Sequence, residues 1–162
     1  NLNEGMITDS RGIYIEGGNT FDLITAVRSS NIETFFKAVD SNSDKLFYAD
    51  SAGAIILGNS VKTAFLGDDA DEDDRRLQDY RGLDLLHSWT VHAHYTTEDD
   101  DNVMNLVYDE GVPVLALFEE TGVSISENKE LVVLTDAAAA IFTAAGKQMI
   151  ERGNSIKLSD FY

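Results

Sequence analysis

One serine in the sequence stands where a nucleophile could be exposed at a sharp turn. Ser51 follows a short apolar run at 45–49 and precedes a small-residue segment, which is the order of a strand followed by a helix. Ala49 and Gly53 flank it at a distance of two residues, and a turn that projects a nucleophile requires small flanking residues. The N–H group of Ala52 could then stabilise an oxyanion. The pattern predicts acyl transfer, and an ordinary serine-capped turn fits it equally well.

The three histidines of the chain, His87, His92 and His94, fall in one short stretch. A serine nucleophile needs a histidine as its base. His92 and His94 would share one face of a strand, since side chains alternate along it, and this spacing also allows a metal site. Zinc normally requires a third protein ligand beside a water, and only His87 or a carboxylate could supply it. We therefore expect no metal and no cofactor.

A glycine pair follows the first predicted strand. Gly17-Gly18-Asn19-Thr20 comes directly after the β-branched and aromatic run at 13–15. The backbone N–H groups of such a turn could bind an anion. The pattern is neither a dinucleotide-binding fingerprint nor a phosphate-binding loop.

The stretch 67–76 is almost wholly charged. Asp69, Asp71 and Asp73 are spaced like the ligands of a calcium loop, yet Asp74 stands where that loop needs glycine. We therefore predict a solvated or poorly ordered loop rather than a metal site.

The composition indicates a single domain over residues 1–162. A net charge of −17 argues against nucleic acid or an anionic membrane as a partner. No apolar run approaches the roughly 20 residues that span a bilayer. The absence of cysteine excludes disulfides and thiolate zinc sites, and no signal-peptide pattern is present. A cytoplasmic location is therefore the expectation.

Strand and helix patterns alternate along the chain. The predicted strands lie at 13–15, 45–49, 89–95 and 112–118. The predicted helices lie at 20–30, after a cap at Asn31, at 52–57 and after a cap at Thr97. A hairpin is predicted over 123–134. In the stretch 137–152 the alanines favour a helix, whereas Gly146-Lys147 is typical of a hairpin turn, and we predict a second hairpin there. The alternation predicts an α/β sheet with helices on both faces, in which functional sites gather at the carboxyl ends of the strands.

Three motifs together resemble the peptidase E family of serine peptidases, which includes aspartyl dipeptidase and cyanophycinase. They are the Gly17-Gly18 turn, the turn around Ser51, and His94-Tyr95 after a hydrophobic strand. The resemblance implies the flavodoxin-like fold of class I glutamine amidotransferases, with a mostly parallel sheet and helices on both faces. Family members carry more chain before the glycine turn, so we expect part of the amino-terminal portion to be lacking here. Exposed strand edges would then invite association into a homo-oligomer.

The same resemblance implies a role for individual residues. Ser51 matches the nucleophile and His94 the general base. The family's aspartate falls in the acidic stretch, where Asp69 is the first candidate and Asp68 the second. The expected oxyanion hole consists of Gly17, Gly18 and Ala52. The expected substrate-binding residues are Asn19, Thr20 and Glu119.

The segment 98–101 departs from the family. Aspartyl dipeptidases use an arginine after the histidine to hold the substrate carboxylate, whereas this segment reads Glu-Asp-Asp-Asp. Carboxylates repel an acidic P1 side chain, so a neutral or basic residue is expected there instead of aspartate. The run also suits an exposed helix start.

The sequence therefore predicts a serine-type, dipeptidase-like hydrolase of short peptides. Two alternatives stay open. One is an inactive or incomplete family member that acts in binding or assembly. The other is a cyanophycinase-like hydrolase that accepts an arginine-bearing polymer.

Overall fold

The computed structural model describes residues 11–30, 32 and 46–161. The helix predicted after the Asn31 cap therefore lies outside the described residues, apart from position 32. Its strands are β1 (Gly12–Ile15), β2 (Leu46–Ala49), β3 (Thr90–His92), β4 (Val114–Leu117), β5 (Val123–Ile125), β6 (Glu130–Val133), β7 (Ala139–Thr143), β8 (Gly146–Ile150) and β9 (Ser155–Lys157). Its α-helices are α1 (Thr20–Ser29), α2 (Ala52–Leu57) and α3 (Asp100–Glu110). Short 3₁₀ turns cover Lys62–Phe65, Thr97–Asp99 and Leu158–Phe161. None of the helices described is long and apolar enough to cross a membrane.

Strands β1 and β2 pair in parallel, and helices α1 and α2 cover one side of them. The apolar stripe of α1 is buried there, with Phe21 and Ile24 fully enclosed beside Ile56 of α2. Asn19 caps α1 by accepting a hydrogen bond from the Asp22 N–H, at 3.0 Å. Burial of these stripes fixes the loops that leave the carboxyl ends of β1 and β2.

A second sheet has the strand order β3-β4-β7-β8. Strands β3 and β4 run in parallel, whereas β7 and β8 are antiparallel to their neighbours. Val103 and Val107 of α3 pack against Ala140 and Phe142 of β7 on one face. This packing holds α3 beside the loop that follows β3.

The expectation of a mostly parallel sheet is corrected by the strand pairings. Among the described residues, β1–β2 and β3–β4 are parallel, and the other pairings, including the sheet β5-β6-β9, are antiparallel. Connection length accounts for two of these pairings, β5–β6 and β7–β8, because their tight turns leave no room for a crossover. Both predicted hairpins are present.

Two predicted boundaries move near the histidines. The strand expected over 89–95 ends at His92, because His94 adopts φ 55°, outside the extended region. The helix expected after Thr97 begins at Asp100, and Thr96, not Thr97, caps the 3₁₀ turn before it.

Candidate active site

Four residues occupy equivalent positions at the carboxyl ends of the parallel strands. Gly17, Ser51, His94 and Glu119 each lie two residues after the last residue of β1, β2, β3 and β4, respectively. Parallel strands deliver the loops that follow them to one edge, which is where α/β folds place their sites.

Ser51 stands in a strained turn between β2 and α2. Its backbone has φ 47° and ψ −123°, a conformation that a residue with a side chain rarely adopts. A Cβ atom on Gly53 would lie 2.1 Å from the Ile15 carbonyl oxygen, so only glycine permits α2 to approach β1 this closely. A Cβ on Gly17 would lie 3.0 Å from the Ser51 Cβ. The two glycines therefore leave the space that the projecting serine requires.

A hydrogen-bonded chain joins Ser51 to Glu119 through His94. Ser51 Oγ lies 2.8 Å from His94 Nε2, and His94 Nδ1 lies 2.5 Å from Glu119 Oε2. An ionised carboxylate only accepts, so the imidazole proton is assigned to Nδ1 and Nε2 is left to accept from the serine hydroxyl. The side chains of His94 and Glu119 are 36% and 75% exposed, so this chain opens to solvent.

The carboxylate against His94 is therefore Glu119, in place of Asp69 or Asp68. Both aspartates lie exposed in a turn. A Cβ on Gly67, next to them, would lie 3.5 Å from Asp99 Oδ1, so this segment meets Asp99. Glu119, expected at the substrate, lies instead beside the His94 imidazole. The strand-end position of Glu119 after β4 is the signal that could have identified it.

The glycine turn has two parts: Gly17-Gly18 lies near Ser51, and Asn19-Thr20 forms hydrogen bonds with the acidic loop. A Cβ on Gly17 would meet the Ser51 Cβ at 3.0 Å, and Gly18 has φ 133°, which favours glycine. Asn19 caps α1 and donates from Nδ2 to the Glu72 carbonyl oxygen, at 3.0 Å. Thr20 is fully buried, and its N–H donates to Asp71 Oδ2 at 2.8 Å. Asn19 and Thr20, expected to bind substrate, are thus engaged in holding the turn.

The acidic loop is organised by its own aspartates. The Asp71 N–H donates to the Ala64 carbonyl oxygen at 2.8 Å, while its carboxylate holds Thr20. Asp73 Oδ2 accepts from the Leu77 N–H at 2.8 Å and from the Tyr80 hydroxyl at 3.0 Å. The loop has no regular secondary structure, but these bonds close it over the start of α1.

His92 and His94 do not share a site. His94 faces Ser51, whereas His92 is buried and places Nε2 3.4 Å from Asp99 Oδ2. Burial lowers the pKa of His92, and the neighbouring Asp99 opposes this shift only in part. His92 is therefore neutral near pH 7, with its proton on the nitrogen that faces Asp99.

The acidic run 98–101 spans the end of the 3₁₀ turn and the start of α3. Asp100 accepts from the Tyr95 hydroxyl and, at 2.9 Å, from Lys147 Nζ. Lys147 also stands over the Tyr95 ring. Burial works against the charged form of Lys147, yet its hydrogen bonds to Tyr95 and Asp100 raise its pKa overall. Two of the four carboxylates, Asp99 and Asp100, are thus engaged within the protein, and Asp99 is buried, whereas the helix-start interpretation expects an exposed run.

Comparison with known families identifies the family of this chain. The model of peptidase family S51 matches residues 2–133. The chain belongs to peptidase family S51. No curated protein matched the sequence of this S51 member.

Solved structures share the fold of this S51 member. A Listeria monocytogenes EGD-e protein assigned to peptidase E is 16% identical, with a TM-score of 0.56 over 91% of this chain. A peptidase from an acI-B1 actinobacterium is 18% identical, with a TM-score of 0.63 over 95% of this chain. The alignments cover 62% of the length of each of those proteins. At these identities the likeness establishes a common fold.

Proposed function

We propose that this S51 family member is a serine peptidase that hydrolyses short peptides through an acyl-enzyme. The observation that carries the proposal is the chain of contacts from Ser51 Oγ to His94 Nε2 and from His94 Nδ1 to Glu119. A nucleophile, a base and a group that orients the base are the three parts that acyl transfer by serine requires.

In the acylation step, Ser51 Oγ attacks the peptide carbonyl carbon while His94 Nε2 takes the hydroxyl proton. Glu119 holds the Nδ1–H tautomer and stabilises the imidazolium that forms. The imidazolium then returns its proton to the leaving amine, and the C–N bond breaks. The product of this step is an ester between Ser51 and the acyl group.

The carbonyl oxygen becomes negative in the tetrahedral intermediate and needs donors. The Ala52 N–H begins α2 and so has no acceptor within that helix. The backbone of Gly17 lies against Ser51, so its N–H, or that of Gly18, would be the second donor. Each such donor contributes about 10²-fold or more in rate.

Deacylation uses the same groups in the reverse order of proton transfer. A water molecule gives a proton to His94 Nε2 and attacks the ester carbonyl. The collapse of the second intermediate returns the proton to Ser51 Oγ and releases the carboxylic acid. The partial exposure of His94 supports entry of this water.

The charge around the site supports a neutral or basic P1 residue. Asp50 is exposed next to Ser51, and Glu119 and Glu120 are exposed next to His94. An acidic P1 side chain would meet like charge from both directions, which weakens binding. The carboxylates Asp99 and Asp100 take no direct part in this selection, because they are engaged within the protein.

Labelling with a fluorophosphonate tests the nucleophile directly. The reagent forms an Oγ–P bond and releases fluoride, so we expect a mass shift on Ser51 in the wild-type chain and none in Ser51→Ala. Ser124→Ala, at an exposed position of β5, is the matched control and should label like wild type. Dipeptides with acidic, neutral and basic first residues give the specificity. Undiminished peptide hydrolysis by Ser51→Ala would overturn the proposal.

A further inference from the structure

A single carboxylate oxygen contacts the chain on both sides of His94. Asp99 Oδ2 lies 2.9 Å from the Thr96 backbone N, 3.3 Å from Thr96 Oγ1 and 3.4 Å from His92 Nε2. Thr96 follows His94 by two residues, and His92 precedes it by two. The oxygen thus holds both flanks of the loop that carries the histidine.

Asp99 is buried, with only 4% of its surface exposed. A buried carboxylate is unfavourable unless hydrogen bonds compensate the loss of water, and donors from Thr96 and His92 converge on this one. Because His92 is neutral and aims its Nε2–H at Asp99, its bond does not depend on a second charge.

A helix cap explains only part of this arrangement. Thr96 and Asp99 form a capping box for the 3₁₀ turn that precedes α3. That motif accounts for the two contacts with Thr96. It does not account for the contact with His92, which reaches back past His94 to the end of β3.

The backbone at His94 needs such support. Its φ of 55° is unfavourable for a residue with a side chain, so the surroundings must impose it. On its carboxyl side, the Tyr95 N–H donates to the Leu117 carbonyl oxygen at 3.0 Å. Asp99 adds hydrogen bonds to His92, before the strained residue, and to Thr96, after it.

We propose that Asp99 is a positioning residue for His94. It fixes the loop so that the imidazole reaches Ser51 Oγ with one nitrogen and Glu119 with the other. The inference rests on the proposed function, because it concerns the base of that reaction. A displacement of about 1 Å in such a group can cost about 10²-fold in rate.

The test compares Asp99→Ala and Asp99→Asn with Asp101→Asn, an exposed acid at the start of the same helix. We expect Asp99→Ala to lower kcat about 10²-fold with KM nearly unchanged, because the base moves while the substrate surface remains. Asp99→Asn keeps an acceptor oxygen for Thr96 and His92, so it should recover most of kcat. Asp101→Asn should match wild type.

A proton NMR measurement separates positioning from general loss of structure. The His94 Nδ1–H beside Glu119 should give a downfield resonance, assigned by its absence in His94→Asn. In folded Asp99→Ala this resonance should broaden or disappear, while Asp99→Asn keeps it. A folded Asp99→Ala protein with wild-type kcat, or with an unchanged resonance, overturns the inference.

His92→Leu keeps the inference testable if Asp99→Ala does not fold. This variant removes the contact between His92 and Asp99 and leaves the contacts between Thr96 and Asp99. A reduced kcat together with a broadened His94 resonance supports the inference. Wild-type values of both overturn it. The resonance needs no turnover, so failure of the wild-type chain to label or hydrolyse would refute the proposed function while the positioning test still gives its own result.

Discussion

Glu119 Oε2 lies 2.5 Å from His94 Nδ1, although 25 positions of sequence separate the two residues. The parallel pairing of β3 with β4, in which His92 is opposite Ala116, brings the following loops to the same edge. The partner of the histidine is thus set by strand order. The carboxylate beside His94 Nδ1 therefore comes from the loop after β4, and not from the charged stretch 67–76, which holds many carboxylates.

Glu119→Gln should reduce kcat for peptide hydrolysis by about 10- to 100-fold. The amide cannot stabilise the imidazolium as a carboxylate does, but solvent screening at this exposed position limits the loss. Steady-state kinetics on the preferred dipeptide give the value. Glu120→Gln and Asp69→Asn should keep kcat within about twofold of wild type, because exposed charges that do not contact His94 are screened by solvent. A larger loss in Asp69→Asn than in Glu119→Gln would return the triad role to Asp69.

Gly53→Ala should destabilise the fold by about 1–3 kcal/mol or more. The new methyl group would lie 2.1 Å from the Ile15 carbonyl oxygen, so α2 and β1 must separate. Urea unfolding measures the change. Gly12→Ala is the control, since its nearest contact would be an ordinary 3.7 Å. Equal free energies of unfolding for the two variants would contradict the close approach described here.

Asp71→Ala should loosen the glycine turn and cost about 1–2 kcal/mol of stability. The substitution leaves the Thr20 N–H without its charged acceptor at the start of a helix. Hydrogen exchange at Thr20 is the direct measurement, and its protection should fall more than that of α3. Asp74→Ala, at an exposed position in the same loop, should leave Thr20 protected as in wild type.

The buried His92 should make stability fall on acidification. Its folded pKa lies below the unfolded value of about 6.5, so below that pH the unfolded chain binds more protons than the folded chain. The free energy of unfolding should then decrease by at most about 1.4 kcal/mol per pH unit from this residue. Urea unfolding at pH 7, 6 and 5 should show a shallower decrease in His92→Gln, with the exposed His87→Gln as control. Parallel pH profiles for wild type and His92→Gln would rule out this contribution.

Local patterns in the sequence predicted much of the frame. The helix over 52–57, the strand at 45–49 and both hairpins depend on short-range spacing and turn chemistry, which a single sequence displays. The preference of serine nucleophiles for a histidine base pointed only to the three histidines, and the choice of His94 among them came from the resemblance to the peptidase E family. These inferences needed no knowledge of which strands are neighbours.

The carboxylate that lies beside His94 could not be predicted in the same way. The choice between Asp69 and Glu119 depends on strand order, because Glu119 meets His94 only through the β3–β4 pairing. The role of Asp99 is hidden for a similar reason. Its acidic neighbours suggest a solvated helix start, and only the fold shows that this one carboxylate is buried against His92.

The regular placement of Gly17, Ser51, His94 and Glu119 after four strand ends has a consequence for how such a protein can diversify. These four residues are anchored to the sheet, whereas the loops continue outward from them. Insertions farther along those loops can therefore change the surroundings of the proposed site while the four residues keep their spacing. A graft of new loop tips onto this frame is thus a more promising engineering route than any change within two residues of a strand end.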